Sequence, residues 1–149
     1  MTDPIKKPHH NVWASWLPVI VLCLAIFVQS CFPAVDPGPD FAFKDKWLHI
    51  AAYGLLAVLF SRAWRLTWPE RLAAAQLLVV SVCFASLYGL SDEMHQAWVA
   101  TRHASAMDAV ANLVGSILGA AIFLILFNRR RMNRLTATEI TVNKPDESR

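Results

Sequence analysis

Charge is the first thing this sequence is short of. Only 17% of its 149 residues are Asp, Glu, Lys or Arg, against about 25% in an ordinary soluble domain. Hydrophobic residues make up 56%, above the roughly 45–50% such a domain carries. That balance excludes a water-surrounded globule and makes the membrane the expected solvent. Cysteine is scarce too: Cys23, Cys31 and Cys83 are odd in number, lie in or beside apolar runs, and form no CxxC pair. A disulfide framework and a thiolate zinc site are both excluded on that count. A formal net charge of +3 gives no basic surface for a polyanion, so no nucleic acid partner is expected. HExxH and a nucleophile elbow are absent as well, which removes the common zinc-protease and serine-hydrolase signatures.

What the sequence does have is long apolar stretches. Four come close to the roughly 20 residues that a spanning helix needs, at about 13–32, 47–64, 72–90 and 106–127. The reading is an all-α membrane protein, a bundle of four transmembrane helices forming one domain over 13–128. Lys6, Lys7, Arg62, Arg65, Arg71, Arg129, Arg130, Arg131 and Arg134 fall on one face, with only Lys44, Lys46 and Arg102 on the other. The positive-inside rule then places both termini in the cytoplasm. Tryptophan agrees: Trp13, Trp16, Trp64 and Trp68 mark the inner boundary, Trp47 and Trp98 the outer. Residues 1–12 form a short cytoplasmic N-terminus, and the basic tail over 129–149 is patternless after Arg134 and expected to be disordered.

Against this apolar background the acids, histidines and amides stand out. Asp45, His49, Asp92, Glu93, His95, Gln96, Arg102, Asp108 and Asn112 all fall at the extracytoplasmic ends of the second, third and fourth helices. Each ionisable group in or near hydrocarbon costs about 2.5–3.5 kcal/mol on insertion scales, so a shared site is the economical explanation. Residues three or four apart share a helical face. Asp45 therefore stands over His49 and Tyr53, Asp108 over Asn112 and Ser116, and Tyr88, Asp92, His95 and Gln96 lie on one stripe with Glu93 rotated toward a neighbour or the water. Arg102, the lone extracytoplasmic arginine, suits an anionic head group. The plainer alternative is interhelical hydrogen bonding at around 0.6 kcal/mol per bond. It is preferred for Gln76 and Ser81, and helix packing is preferred for the small-xxx-small pair Gly115 and Gly119. For the full set it requires three helices to place polar groups at one depth by chance.

The motifs Asp45-Lys46-Trp47-Leu48-His49, Ser91-Asp92-Glu93-Met94-His95-Gln96 and Arg102-His103-Ala104-Ser105, the last leading into Asp108 and Ala111-Asn112 with Gly115 beyond, occur in this order. Over about 41–119 the chain resembles the VanZ-like family, with Thr101 where members often carry Gly. The resemblance implies a small multi-helix protein of the bacterial inner (cytoplasmic) membrane, named for an accessory gene product that raises tolerance to the glycopeptide teicoplanin. It assigns these motif positions no catalytic roles.

Two readings follow. In the first, the outward site binds an anionic envelope lipid or a lipid-linked cell-wall precursor. Arg102 holds the charge, His49, Gln96 and Asn112 supply hydrogen bonds, and Trp47 and Trp98 seat the molecule at interface depth. In the second, the protein is an intramembrane hydrolase or transferase on a similar substrate, with His49 or His95 as general base oriented by Asp45 or Asp92. No cofactor is predicted, although the carboxylate and imidazole donors allow a divalent metal as a variant of the second reading. Ser91 and Ser105 border the motifs without forming a nucleophile site, which ranks the enzyme second. Transport ranks lower still, because no polar chain continues inward beyond Gln76. Nothing in the spacing selects an oligomeric state.

Overall fold

The structure is a computed structural model that describes residues 11–32, 43–99 and 105–142. Arg102, His103, the proline-rich connection at 33–39 and the ends at 1–10 and 143–149 lie outside the described residues. Among the described residues there are four helices and no strand: α1 (Val12–Ser30), α2 (Lys44–Thr67), α3 (Ala74–Gln96) and α4 (Ala106–Val142). All four are long and apolar enough to cross a membrane, α4 over Ala106–Asn133. The chain is thus a multi-pass membrane protein. Its outer surface is correspondingly greasy, with Leu17, Leu24, Leu55, Val79, Ile117 and Ile125 each about half exposed. In lipid such a surface needs no further cover.

Most helix ends shift by a few residues from the sequence reading, and three of the differences bear on the site or the tail. Helix α2 starts at Lys44 rather than near 47, and α3 runs to Gln96 rather than 90, so both polar motifs lie inside helices and inherit helical spacing. Helix α4 does not stop near 127 but continues to Val142. The segment expected to be disordered is helical over most of its length. No Gly or Pro occurs between Gly119 and Val142, and Arg, Met, Leu and Ala in that stretch are good helix formers.

The bundle is organised by one close contact. A Cβ added at Gly115 would fall 2.8 Å from the Cα of Ile50, and one added at Gly119 would fall 2.8 Å from the Cα of Gly54. Helices α2 and α4 therefore meet backbone to backbone along Ile50/Gly54 and Gly115/Gly119, the approach that small residues spaced by four permit. Core side chains Tyr53, Leu56, Ala57, Ala85 and Ala120 fill in behind. Helix α3 is tied to α2 by a buried bond from the Ser61 hydroxyl to Ser81 Oγ (2.8 Å). Helix α1 is tied on through Tyr88 Oη, which donates to the Cys23 carbonyl (2.6 Å), and through Trp16 Nε1, which donates to Thr67 Oγ1 (3.0 Å). Gln76 accepts from the Ala73 amide and caps α3. Ser81, Gln76 and the glycines are thus used in packing.

The two ends of the bundle differ in chemistry. At one end Trp16, Phe60, Trp64 and Trp68 pack ring on ring, Arg71 lies over Trp68 and Arg65 over Phe127. The other end carries the acid and histidine motifs.

Candidate functional site

The glycine seam sets the geometry of the motif end. Just outward of the Ile50–Gly115 contact, two pairs of polar side chains are brought together across the seam. His49 of α2 meets Asn112 of α4, Nδ1 to Oδ1 at 2.9 Å, and Lys46 meets Asp108, Nζ to Oδ1 at 2.5 Å. Gly89 leaves α3 without a side chain where it passes this pair, since a Cβ there would lie 2.8 Å from Asn112 Nδ2 and 3.0 Å from the Tyr53 ring. Helix α3 can then bring Glu93 in from the third side, with Oε1 at 3.8 Å from His49 Nδ1. Glu93 Oε2 accepts from the backbone amide of Ser105 (3.1 Å). Ser105 also accepts from the Met107 amide through its hydroxyl, which caps α4 and places Asp108 in the favourable first turn.

Lys46, His49, Glu93, Asp108 and Asn112 thus form one cluster drawn from three helices. Glu93, Asp108 and Asn112 are buried. Three of the cluster's buried polar atoms have no hydrogen-bond partner among the described residues: Asp108 Oδ1, which the Lys46 ammonium covers as an ion pair, and two that no lysine covers, Glu93 Oε1 and Asn112 Nδ2. An unsatisfied buried polar atom costs about 1–3 kcal/mol, so these two mark where a ligand atom would be most stabilising.

A second network lies beside the first. Asp92, 6% exposed, accepts from Tyr53 Oη (3.0 Å) and Gln96 Nε2 (3.0 Å), and Gln96 also donates to Ser30 Oγ of α1 (3.2 Å). The His49 and Tyr53 rings run nearly parallel, 6.2 Å apart, and join the two networks. Every polar hydrogen of Tyr53 and the Asp92 oxygen it meets is committed, so this network holds helices in place.

The sequence-derived positions therefore separate. His49, Glu93, Asp108 and Asn112 come together in the cluster, and Asp92 and Gln96 lie in the adjoining network. Two others stand apart. His95 faces α1, its Nε2 3.4 Å from Cys31 Sγ and its ring against Phe27. Asp45 is exposed and pairs with its neighbour Lys46. Arg102 lies outside the described residues. Glu93 turns toward the neighbouring helices and not the water, because its Oε2 is held by Ser105. On α2 the inward stripe is Lys46, His49 and Tyr53, offset by one residue from the expected Asp45, His49 and Tyr53, because Ile50 and Gly54 must face α4. Lys46 was legible as a motif residue without a role. Ser30 had no signal beyond its place at the outer end of the first helix.

Next to the cluster an apolar groove of about 270 Å³ runs between α2 and α4. Phe43, Trp47 and Ile50 line one wall and Met107, Val110 and Val114 the other, with Lys46 as its charged member. Phe43 has a left-handed backbone (φ 61°) as it starts α2.

The VanZ/LLP1 family profile matches residues 24–127, a span that contains the cluster, the second network and the glycine seam. The chain belongs to the VanZ/LLP1 family. Among curated proteins, this VanZ/LLP1 protein is similar to an uncharacterized protein of Schizosaccharomyces pombe, 28% identical over 117 residues that cover 78% of this chain and 68% of the relative. No solved structure matches it.

Proposed function

We propose that this protein binds the phosphate-bearing head group of an envelope lipid, or of a lipid-linked precursor, at the motif end of the bundle, with an acyl chain in the groove between α2 and α4. The observation that carries the reading is the junction at Lys46. The same side chain belongs to the buried polar cluster and to an otherwise apolar groove, an arrangement that suits a molecule polar at one end and greasy along its length. Lys46 and His49 supply donors, Asn112 Nδ2 is a free buried donor, and Arg102, by sequence between α3 and α4, adds a guanidinium suited to phosphate.

The charge asymmetry of the chain supports an orientation with both termini in the cytoplasm and the cluster on the outer side of a bacterial inner membrane. A head group bound there would be sequestered from other outer-leaflet ligands, and teicoplanin tolerance is one consequence that such sequestration would produce.

The test is mass spectrometry of lipid retained by protein purified in mild detergent. Lys46→Met and Asn112→Leu are expected to lose the retained lipid at least about tenfold, a change of about 1.4 kcal/mol. Val79→Ala, on the lipid-facing side of α3, is expected to keep it. Equal lipid content in all three variants would overturn the reading.

A second reading, hydrolysis or transfer on the same class of substrate, is favoured by one observation: of the four catalytic candidates, His49 stands with two acids, Glu93 and Asp108. Turnover of a lipid-linked phosphate by the purified protein, abolished by His49→Ala, would move the function from binding to catalysis.

A further inference from the structure

His49, Glu93 and Asp108 come from three different helices, and each offers a donor atom within 4.8 Å of the others. We propose that these three side chains hold a divalent transition-metal ion. The inference deepens the lipid reading and rests on it for one purpose only, namely what the ion is for.

The spacing is within reach of one ion: metal–oxygen and metal–nitrogen bonds of about 2.0–2.2 Å put adjacent tetrahedral ligands about 3.3–3.6 Å apart, so the trio closes onto an ion by about 1 Å. Orientation fits as well. Glu93 Oε1 is buried, faces the cluster and has no hydrogen-bond partner, while its Oε2 is fixed by the Ser105 amide. Ligating carboxylates are commonly anchored in this way by an outer hydrogen bond. Asn112 Oδ1, 2.9 Å from His49 Nδ1, is a further oxygen at the same point. Lys46 pairs with Asp108 Oδ1, and the Asp108 carboxylate offers one ligand atom to the trio.

Charge supplies the reason. Glu93 and Asp108 place two carboxylates in the cluster against one ammonium, and Asp92 adds a third acid behind them. Uncompensated negative charge in a buried site is costly and repels a phosphate. A divalent ion neutralises it and gives the phosphate oxygens a ligand position. One imidazole with two carboxylates suits zinc or manganese rather than the all-oxygen preference of magnesium and calcium.

The experiment uses the full chain in detergent, with no histidine tag and with His9→Ala and His10→Ala so that the terminal pair does not contribute. After chelation and dialysis, Mn2+ binding is followed by electron paramagnetic resonance and metal content by elemental analysis. One ion per chain is expected, with the nuclear coupling of an imidazole nitrogen in the pulsed spectrum. Glu93→Gln and His49→Ala are expected to weaken binding by more than about 100-fold, since even outer-shell changes cost 10–100-fold. His95→Ala, at the same end but turned toward α1, is expected to leave binding and the nitrogen coupling intact. Should a variant fail to fold, the nitrogen coupling in protein that also carries His95→Ala and His103→Ala still decides.

No bound ion, or a bound ion without nitrogen coupling, overturns the metal site. Lipid retained by protein that binds no ion would sink the metal and leave the lipid reading standing. A bound ion in protein that retains no lipid would do the reverse.

Discussion

Replacing Gly115 with alanine perturbs the seam at its contact nearest the cluster. The new methyl would lie 2.8 Å from Ile50 Cα and 2.9 Å from its carbonyl carbon, whereas carbon atoms rest at about 3.5–4.0 Å. The Ile50 carbonyl oxygen lies closer still; all three atoms are backbone and cannot rotate away, so α2 and α4 must separate by at least about 0.7 Å. Overpacking of this kind costs about 1–3 kcal/mol, and for a chain of this size each kcal/mol lowers the melting temperature by about 2–4 °C. The same separation stretches the His49–Asn112 bond from 2.9 Å to about 3.6 Å, past hydrogen-bond reach. Gly115→Ala should therefore lose stability and lipid retention together. Gly54→Ala is the internal control. Its methyl would meet only the Gly115 carbonyl oxygen at 3.1 Å, a contact relieved by a few tenths of an ångström, and alanine's better helix propensity offsets part of that. Thermal unfolding in detergent, followed by circular dichroism, should show a clear drop for Gly115→Ala and a near-neutral Gly54→Ala. Equal melting temperatures for the two variants would refute the backbone-contact account.

Other expectations are simpler. Ser61→Ala removes a bond between helices remote from the cluster and should cost about 0.6 kcal/mol without changing the retained lipid. Tyr53→Phe deprives buried Asp92 of one of two donors and should cost about 1–2 kcal/mol, because the acceptor is a carboxylate. Asp92→Leu should cost more, since it strands the Tyr53 hydroxyl, and unfolding by urea would rank the pair. In a cysteine-free background, Asp45→Cys should react with a membrane-impermeant thiol reagent applied outside the cell. Glu70→Cys, in the exposed turn between α2 and α3, should react only after permeabilisation, and the opposite pattern would invert the orientation.

Most of the fold could be read from residue order, because hydrocarbon imposes two simple demands: apolar length and satisfied backbone. Four spans follow from those demands alone. The end of α4 did not, since the absence of a stop signal after Phe127 is a weaker cue than polar composition. Convergence of α2, α3 and α4 was legible because Asp45/His49, Asp92/Glu93 and Asp108/Asn112 recur at one depth. Which member of each set faces inward was not. That choice depends on Gly54, Gly89, Gly115 and Gly119, whose effect is to fix helix rotation through close contact, and spacing by itself leaves rotation free. Hence Lys46 displaces Asp45 from the inward stripe, Glu93 joins the cluster, and His95 turns to Phe27 and Cys31.

The most direct test of a head-group site at the Lys46 junction is crosslinking with a phospholipid that carries a photoreactive acyl chain, followed by peptide mapping. Labels should concentrate on Phe43, Trp47 and Ile50 of α2 and on Met107, Val110 and Val114 of α4, and should fade in Lys46→Met. Labels spread evenly over the lipid-facing sides of α1 and α3, and indifferent to that substitution, would contradict the account.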